Sequence, residues 1–276
     1  MKVALTGSGG FIGRHVLAEL ERRGCNVIRV RRPGQASDEP CSVAVDLANP
    51  KPGMYRQMGS PDVLVHLAWG GLPHYGSLHH FDFELPLHYH WLKCLVEDGL
   101  PHVVCTGTCF EYGLQSGALD ESIHARPTTA YGFAKDTLRC ELEFLQGQRT
   151  FALTWTRLFY TFGEGQSEQS LLPQLRGAVQ RGDASFPMSS GEQLRDYLAV
   201  PEVARMLVDL ALTGRGHGVV NLCSGRPISV RSLVEGWIAA NRWTIRLDLG
   251  RFPYAPHEPM AFWGDDTKLR DCLGRA

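Results

Sequence analysis

The chain has 276 residues, of which 43% are hydrophobic and 21% charged, a composition typical of a folded enzyme rather than a disordered chain or a fibre. The 28 basic side chains nearly balance the 29 acidic ones, so the formal net charge is -1. Because this balance creates no long-range field, electrostatic capture of nucleic acid or of an anionic membrane is not expected. A small substrate, neutral or held locally as an anion, fits the composition better.

Two further features of the sequence indicate where in the cell the protein lies. No run approaches the roughly 20 consecutive apolar residues that a membrane-spanning helix requires. Eight cysteines are dispersed without a CxxC pair, as expected for small buried side chains in a reducing compartment. We therefore predict a cytoplasmic protein with neither a membrane nor a nucleic acid as partner.

Short apolar runs alternate with amphipathic stretches through the first half of the chain, the pattern of strands and crossover helices in a parallel sheet covered on both faces. The predicted fold class is therefore α/β, with a doubly wound parallel sheet. Helical spacing predicts helices over about Phe11 to Arg23, Leu85 to Glu97 and Ala130 to Leu145. The predicted strands are Lys2 to Thr6, Val27 to Val30, Ser42 to Val45, Val63 to Leu67, Val103 to Thr106 and Phe151 to Thr156.

A glycine-rich turn joins the first predicted strand to the first predicted helix. Gly7 permits the tight turn, Gly10 lets the backbone approach a pyrophosphate, and Gly13 allows the helix to pack closely. Phe11 and Ile12 open the helix, whose N-terminal N–H groups favour negative charge. Three glycines alone are a weak signal, but their place between a strand and a helix predicts a dinucleotide site.

The chain changes character at about Thr161, where the alternation loosens and glycine and proline become frequent. We expect a dinucleotide-binding Rossmann domain over residues 1–160, with a later return to the sheet at about 216–224. Residues 161–276, where strand and helix alternations are less clear in the sequence, are expected to form mainly a smaller, interleaved substrate-binding region.

The end of the second strand selects between the two nicotinamide dinucleotides. An acid there accepts hydrogen bonds from a ribose 2′-hydroxyl, whereas an arginine pairs with a 2′-phosphate. This chain carries Arg31 and Arg32 at that point, which favours NADP. A pair of solvated surface arginines is the alternative interpretation. Asp46, which ends the third strand, is placed to cap the adenine side.

Tyr131 and Lys135 stand four residues apart in a predicted helix and therefore project from the same face. A tyrosine is a poor acid or base at neutral pH, and a neighbouring ammonium should lower its pKa toward a useful range. Such a pair by itself occurs by chance on helix surfaces. Together with the glycine loop upstream, it predicts proton transfer beside a dinucleotide.

In these residues the chain resembles the extended short-chain dehydrogenases/reductases, a group that includes nucleotide-sugar epimerases, dehydratases and reductases. The resemblance covers nearly the whole chain, and its motifs together are specific to the family rather than to one reaction. They are Gly7, Gly10 and Gly13; His66 to Ala68; Thr108 before Tyr112 and Gly113; Tyr131 with Lys135; Arg157; Arg195 to Tyr197; and Asn221 to Gly225.

The resemblance implies that Thr108 hydrogen-bonds the substrate oxygen and that Tyr131 moves the proton. Lys135 would hold the nicotinamide ribose and tune the tyrosine. Arg195 would grip a nucleotide diphosphate, a role that suits a bidentate cation, although a surface salt bridge is the commoner explanation for such an arginine in isolation. The resemblance also implies cofactor contacts for Leu47, Leu67, Ala68, Thr106 and Phe159, and a substrate contact for Tyr160. Trp69 and His74 lie in the loop after the fourth strand, which faces the cofactor crevice at the carboxyl ends of the strands. We expect them to line the sugar pocket, with packing as the alternative for Trp69.

Departures from the family pattern limit which of the family's reactions we expect. Family members that dehydrate the sugar carry an Asp and a Glu directly after the threonine, where this chain has Cys109 and Phe110, so dehydration is not expected. Glu111 comes one place too late, and we interpret it as structural. Two asparagines of the family are replaced by Tyr160 and Glu84, and both changes should alter the substrate side.

Cofactor choice adds a second argument. Epimerases and dehydratases return the hydride to the same molecule and retain NAD, whereas a net reductase consumes its cofactor and draws on NADPH. Arg31 therefore favours NADPH-dependent reduction of a nucleotide-linked 4-keto-6-deoxyhexose, with NAD as the second possible cofactor. The stretch from Pro253 to Leu269 resembles the C-terminal pattern of such reductases. An NAD(P)-retaining epimerase and a non-catalytic NADP-sensing regulator are the alternatives, and a homodimer is the expected assembly.

Seven histidines lie between residues 66 and 102, which raises the possibility of a metal site. His88 and His90 are two apart on a predicted helix and point away from each other, and His79 and His80 are adjacent. Neither spacing provides the geometry of a ligand set. We expect no metal.

Overall fold

The strands and helices follow the predicted alternation through the first half of the chain. The computed structural model describes residues 1–34, 41–254 and 258–274. A π-helical turn at His80–Glu84 runs directly into the third helix, and a 3-10 turn at Cys109–Tyr112 follows the fifth strand. The strands are β1 (Lys2–Thr6), β2 (Asn26–Arg31), β3 (Ser42–Ala44), β4 (Val63–His66), β5 (His102–Thr108), β6 (Gly117–Leu119), β7 (Ala152–Leu158), β8 (Tyr160–Phe162), β9 (Ser185–Pro187), β10 (Leu194–Arg195), β11 (Tyr197–Ala199), β12 (Gly218–Leu222), β13 (Ile228–Ser229), β14 (Arg246–Asp248) and β15 (Phe262–Gly264). The α-helices are α1 (Phe11–Arg22), α2 (Met54–Gln57), α3 (Leu85–Glu97), α4 (Ala130–Gln146), α5 (Leu171–Arg181), α6 (Val200–Leu212), α7 (Val230–Asn241) and α8 (Thr267–Cys272).

Seven of these strands form one parallel sheet in the order β12-β7-β5-β4-β1-β2-β3. Val3 of β1 lies beside Val27 of β2 on one side and Val63 of β4 on the other, so the strand order reverses at β1. The doubly wound parallel sheet predicted from the sequence is confirmed. In such sheets ligands bind outside the carboxyl ends of the strands at the reversal, which here are the ends of β1 and β4.

Side chains of the sheet alternate between two cores because neighbouring residues of a strand point to opposite faces. Ala4 faces a cluster that α2, α3 and α4 cover, whereas Val3 and Leu5 face a second cluster under α1, α6 and α8. Trp91 of α3 and Trp155 of β7 are fully buried in the first cluster. Burial of apolar surface on both faces stabilises this layered arrangement and holds the strand ends in place.

The segment after Thr161 is more regular than its sequence indicates. It contains α5 to α8, and side chains such as Leu175, Phe186 and Val234 form a separate apolar cluster between α5 and α7. The alternation is hard to read from the sequence there because most of the strands have two or three residues and glycines are frequent. β12 joins the main sheet beside β7, within the stretch expected to return to it. The division of the chain at residue 160 stays a prediction.

Candidate active site

The glycine loop between β1 and α1 is shaped by backbone contacts that leave no room for side chains. Gly7 has a φ of +70°, and the Gly10 N–H donates to the Gly7 carbonyl at 2.9 Å. A Cβ at Gly13 would overlap that same carbonyl oxygen. Phe11 and Ile12 begin α1, and Ile12 packs against the second core. A tight turn that leads into a helix N-terminus fits a pyrophosphate, as its sequence predicts.

One cation beside this loop has no counterpart in the sequence prediction. The guanidinium of Arg14 lies 3.4 Å from the Gly10 carbonyl oxygen and 3.5 Å from that of Gly9. It also approaches Gly165 from the second region. Arg14 is exposed, so its other N–H groups can pair with an anion. Arg14 directly follows the glycine loop in the chain, so its contacts with the loop carbonyls are local, whereas its approach to Gly165 depends on the tertiary structure.

Leu67 and Ala68 join β4 to the glycine loop. Their N–H groups donate to Thr6 Oγ1 at 3.1 and 3.2 Å, which fixes the carboxyl ends of β1 and β4 against each other. Thr106, two residues before the end of β5, donates from Oγ1 to the His66 carbonyl. The structure thus brings these three predicted cofactor residues to the reversal point of the sheet.

Arg31 ends β2, and Arg32 follows it at the same edge of the sheet. Arg31 is partly buried and Arg32 is exposed. Asp46 is exposed and accepts a hydrogen bond from Ala48 N at 3.0 Å, which closes the turn after β3. The neighbouring Leu47 packs against the first core and lines a cavity of about 500 Å³ beside α3.

Tyr131 and Lys135 occupy one buried face of α4. The helix begins at a cap in which Thr129 Oγ1 accepts a hydrogen bond from Gly132 N at 3.1 Å. Lys135 Nζ donates to the Thr106 carbonyl at 2.8 Å, at the carboxyl end of β5. The predicted pair therefore lies at the strand ends, where the topology expects a ligand.

Burial governs the titration of both groups. It raises the pKa of the Tyr131 hydroxyl well above its usual value, with a smaller contribution from Glu111. It lowers the pKa of the Lys135 amine, an effect that nearby acidic groups oppose. The expectation that Lys135 lowers the pKa of Tyr131 is not met, because burial disfavours the charged phenolate and the neighbouring acidic groups raise the pKa further. Tyr131 is held as a protonated phenol, the form that donates a proton.

Thr108 caps the 3-10 turn after β5 and is buried. Its Oγ1 accepts a hydrogen bond from Phe110 N at 3.2 Å, so its own O–H remains able to donate. The Glu111 carboxylate accepts from the Thr108 N–H at 2.8 Å and from Arg157 Nε at 2.7 Å, and it also accepts from the Trp155 indole. Glu111 is structural, as interpreted from the sequence.

The two positions after Thr108 provide no acid or base. Burial raises the pKa of the Cys109 thiol to about 12. Phe110 packs its ring edge-on against Tyr75 and Tyr131, with centroids 5.1 and 6.4 Å apart. Neither side chain can exchange protons near neutral pH, which agrees with the expectation that dehydration is not the reaction.

The segment after β4 lies against the tyrosine and lysine pair. Trp69 is partly buried, its ring centroid is 4.0 Å from Lys135 Nζ, and its Nε1 donates to His80 Nδ1 at 3.2 Å. Its ring also meets that of Tyr131, with centroids 6.1 Å apart. Trp69 therefore contacts the predicted proton-transfer pair itself. His74 is exposed, and its carbonyl accepts a hydrogen bond from His80.

The second region carries the other residues predicted to bind substrate. Arg195 pairs with Glu258 at 3.2 Å, donates to two backbone carbonyls and lies over the Phe262 ring at 4.6 Å. Tyr160 packs against the same ring, with centroids 6.0 Å apart. Only 3% of the Arg195 side chain is exposed, so an ordinary surface salt bridge does not describe it. Its role toward a diphosphate stays a prediction.

Two predicted site residues turn their side chains away from open space. Phe159 is buried in an apolar cluster with Tyr112 and Phe262, so its side chain belongs to a core. Glu84, expected on the substrate side, is buried and accepts a hydrogen bond from Gly70 N at 2.7 Å. The π-helical turn before α3 directs Glu84 back toward β4, which sequence spacing alone does not reveal.

The histidine-rich stretch is occupied by hydrogen bonds. His66 bonds Thr6 and His88, and His88 bonds Glu84. Within the described ranges, no three or more His, Cys, Asp or Glu side chains are grouped so that they could hold a metal ion.

Across those same ranges, every helix is too short or too polar to cross a membrane. The eight cysteines are free thiols.

Comparison with known proteins finds relatives along the whole chain. A model described as the NAD dependent epimerase/dehydratase family matches residues 3–223. A dTDP-6-deoxy-L-talose 4-dehydrogenase (NAD(+)) of Aggregatibacter actinomycetemcomitans is 28% identical over 96% of this chain and 99% of that protein. A dTDP-6-deoxy-L-talose 4-dehydrogenase (NAD(P)(+)) of Kitasatospora kifunensis is 27% identical over 85% of this chain and 77% of that protein. The solved structure of MoeE5 in complex with UDP-glucuronic acid and NAD is 26% identical with a TM-score of 0.80, covering 100% of this chain and 93% of that one.

Proposed function

Because the chain belongs to the NAD dependent epimerase/dehydratase family, we propose that it is an NADPH-dependent reductase of a nucleotide-linked 4-keto-6-deoxyhexose. Family membership and the similarity to 4-dehydrogenases make it a nucleotide-sugar-modifying enzyme with a nicotinamide cofactor. One observation supports the finer proposal most directly. Tyr131 and Lys135 are buried on the helix that packs against the turn begun by Thr108, and that turn provides no free acid.

Each side chain has one part in the proposed reaction. When bound, the nicotinamide supplies the hydride that reduces the sugar carbonyl carbon. Tyr131, protonated in its buried setting, donates a proton to the carbonyl oxygen. The Thr108 hydroxyl hydrogen-bonds the same oxygen and polarises the carbonyl. Lys135 holds the cofactor ribose and restores the proton of Tyr131.

The names of the relatives support the position of the chemistry on the sugar. A 6-deoxytalose 4-dehydrogenase acts at carbon 4 of a 6-deoxyhexose, and reduction of a 4-keto-6-deoxyhexose is the same hydride transfer in the opposite direction. One relative is named for NAD and the other for NAD or NADP, so the preference for NADPH is argued from Arg31 and Arg32. The reductive direction follows from NADPH, which cells keep as their reduced pool.

The direct test is incubation of the purified protein with a panel of nucleotide-linked 4-keto-6-deoxyhexoses and NADPH, followed by nicotinamide absorbance and sugar NMR. We expect cofactor oxidation matched by loss of the keto sugar. Tyr131→Phe should lower turnover by about 100-fold or more and leave NADPH affinity within about twofold, because general acid catalysis contributes on the order of 10²–10⁴. Tyr55→Phe is the matched control, since that hydroxyl donates to the Pro61 carbonyl away from α4.

The same experiment separates the two rivals. A change of sugar configuration without net cofactor oxidation, in a protein that retains stoichiometric nicotinamide through chromatography, would replace the reductase by an NAD(P)-retaining epimerase. A sensor that binds NADP without chemistry would show no turnover with any sugar and no effect of Tyr131→Phe. The buried Tyr131, Lys135 and Thr108 set favours the reductase over the sensor, because a sensor has no need of proton transfer.

We also propose that Arg195 binds the nucleotide diphosphate, that the enzyme is a homodimer, and that it works in the cytoplasm, where its thiols stay reduced. A diphosphate would compete with the partly exposed Glu258 for the Arg195 guanidinium.

The surface of α4 supports the proposed dimer. Exposed Phe133 and Phe144 lie about three turns apart on one face of this helix, and Phe81 contacts the Phe133 ring. Sedimentation of the purified chain measures the assembly.

A further inference from the structure

A group of side chains beside Lys135 takes no part in the proposed proton transfer. Trp69 follows β4, Glu84 ends the π-helical turn before α3, and His88 lies one turn into α3. Glu84 and His88 are buried, and Trp69 is partly buried. Their contacts form a continuous path that ends at the Lys135 amine.

The hydrogen bonds along this path, followed from Thr6, determine which ring nitrogen of each histidine carries the proton. Thr6 Oγ1 accepts from two backbone N–H groups of the loop after β4, so its own proton goes to His66 Nδ1 at 2.9 Å. His66 then donates from Nε2 to His88 Nδ1 at 2.9 Å. His88 in turn donates from Nε2 to Glu84 Oε2 at 3.0 Å. Burial lowers the pKa of both histidines, so both rings stay neutral and each carries its single proton on Nε2.

Glu84 is the anchor of this path. Its Oε2 also accepts from Gly70 N at 2.7 Å, and its Oε1 pairs with His79 at 3.0 Å. Although burial acts in the opposite direction, hydrogen bonds from His88 and Gly70 lower the pKa of Glu84 to about 2. A Cβ at Gly70 would overlap the carboxylate. The charged carboxylate therefore fixes the backbone next to Trp69 as well as the imidazole behind it.

The Trp69 indole is held on its face and at its edge. Its ring stacks on the His88 imidazole, with centroids 4.7 Å apart and planes inclined by 13°. Its Nε1–H donates to His80 Nδ1, and His80 Nε2 donates to the His74 carbonyl at 3.1 Å. The indole cannot turn without breaking the hydrogen bond to His80 and the stack on His88.

The Lys135 amine lies over this fixed indole. Nζ is 4.0 Å from the Trp69 ring centroid and 5.9 Å from that of Trp155, so Trp69 is its principal aromatic contact. Nζ also donates to the Thr106 carbonyl, and the indole face attracts the ammonium electrostatically. The titratable and charged groups that face Lys135 from the surrounding elements are Cys105, Glu111, Glu84, His66, His80 and His88.

We propose that Trp69 is a positioning residue for Lys135, and that Glu84 holds the indole in place through His88 and the Gly70 backbone. The consequence for turnover rests on the proposed function of Lys135, whereas the positioning itself does not. Trp69 and Glu84 thus set where the amine stands and how strongly its charged form is favoured.

The positioning is measured by NMR without substrate. The chain has five lysines, so labelled lysine gives few signals, and Lys135→Met assigns the one of interest. We expect the Lys135 side-chain protons to be shifted upfield of the other four by the indole ring current. Trp69→Leu should abolish most of that shift, Trp69→Phe should retain part of it, and Glu84→Gln should reduce it. Glu97→Gln, at the end of α3 and paired with the exposed Lys93 and Arg149, is the matched control.

Kinetics test the consequence. Trp69→Leu should lower kcat by about tenfold while the KM for the sugar nucleotide changes less than about twofold, the scale expected for a partly desolvated cation and ring contact. Trp69→Phe should restore most of kcat. In Trp69→Leu and Glu84→Gln the pH at which turnover depends on the Lys135 ammonium should move downward, because each change removes a group that favours the charged amine.

The outcomes separate this inference from the proposed function. Unchanged Lys135 signals in folded Trp69→Leu or Glu84→Gln protein overturn the inference. A lost ring-current shift with an unchanged kcat and pH profile overturns its consequence for turnover. If Trp69→Leu does not fold, Trp69→Phe and Glu84→Gln carry the same comparison. A wild-type protein with the shifted Lys135 signal but no activity toward any 4-keto sugar would reject the proposed function alone.

Discussion

At the scale of single residues, Arg31 and Arg32 are the side chains on which the proposed choice of NADPH depends. The net charge of the chain is close to zero, so any attraction for the extra phosphate has to be local. Arg31 lies beside Ala44 in the strand register, two residues before Asp46 at the turn after β3. A guanidinium at this edge provides the bidentate donor that a 2′-phosphate requires, and an acid would repel it.

We therefore predict that Arg31→Asp weakens NADPH binding by about 1 to 3 kcal/mol, the range for loss of a charge-assisted pair. NADH, which lacks the 2′-phosphate, should bind the variant no more weakly than it binds the wild type and so serves as the internal control. Calorimetric or fluorescence titration of both cofactors measures the difference. Equal affinities for NADH and NADPH in the unmodified protein would defeat the assignment of NADP.

At the scale of elements, the junction of β1 and α1 depends on the absence of a side chain at one position. Gly13 lies directly against the Gly7 carbonyl, so a side chain at this position would push α1 away from the loop. Gly236, inside α7, has no heavy atom within 4 Å of its would-be Cβ and is exposed. The two glycines are both helical, yet only the first is required by packing.

These surroundings predict opposite effects of the same substitution. Gly13→Ala should lower the free energy of unfolding by about 1 to 3 kcal/mol, as overpacking does, and should weaken cofactor binding because the loop must move. Gly236→Ala should raise it by about 0.5 to 1 kcal/mol, since alanine is the better helix former. Urea unfolding of both variants is the measurement. Equal destabilisation by both would show that the contact with Gly7 is not the cause.

At the scale of the whole molecule, several titratable side chains are folded into the interior in their neutral form. His102 begins β5 and is 3% exposed, and burial, with a contribution from His217, lowers its pKa from 6.5 to about 4. Burial acts in the same direction on His66 and His88. The unfolded chain binds protons on these histidines before the folded protein does, so acid favours unfolding.

The lowered histidine pKa sets a window for acid destabilisation. The contribution of His102 to stability is complete above pH 6.5, is lost as the pH falls toward about 4, and amounts to about 3 kcal/mol. Urea unfolding across this window should show a falling free energy, with a shallower fall in His102→Gln because that side chain does not titrate. Identical pH dependences of the two proteins would contradict the assignment. Glu84, with its lowered pKa, should add a further loss only as the pH falls from 4.5 toward 2.

Much of the fold follows from local pattern. Alternating apolar runs predict the parallel sheet, and the strand, glycine turn and helix around Gly7 to Gly13 occur where the spacing indicates. Tyr131 and Lys135 share a helix face because four residues make about one turn. Prediction of the strands failed where the hydrophobic pattern covered only a few residues. β5 runs on to Thr108, beyond its predicted end, and the two- and three-residue strands after Thr161 have no periodicity to detect.

The sequence by itself determined the fold class, the glycine loop and the tyrosine and lysine pair, because each depends on residues close together in the chain. Only the tertiary structure decided what surrounds that pair. Trp69 reaches Lys135 through a loop after β4, and Gly165 of the second region lies beside the Arg14 guanidinium. The direction of the Tyr131 pKa was also decided there, since desolvation depends on how completely distant segments close around a group and not on the residue four places away.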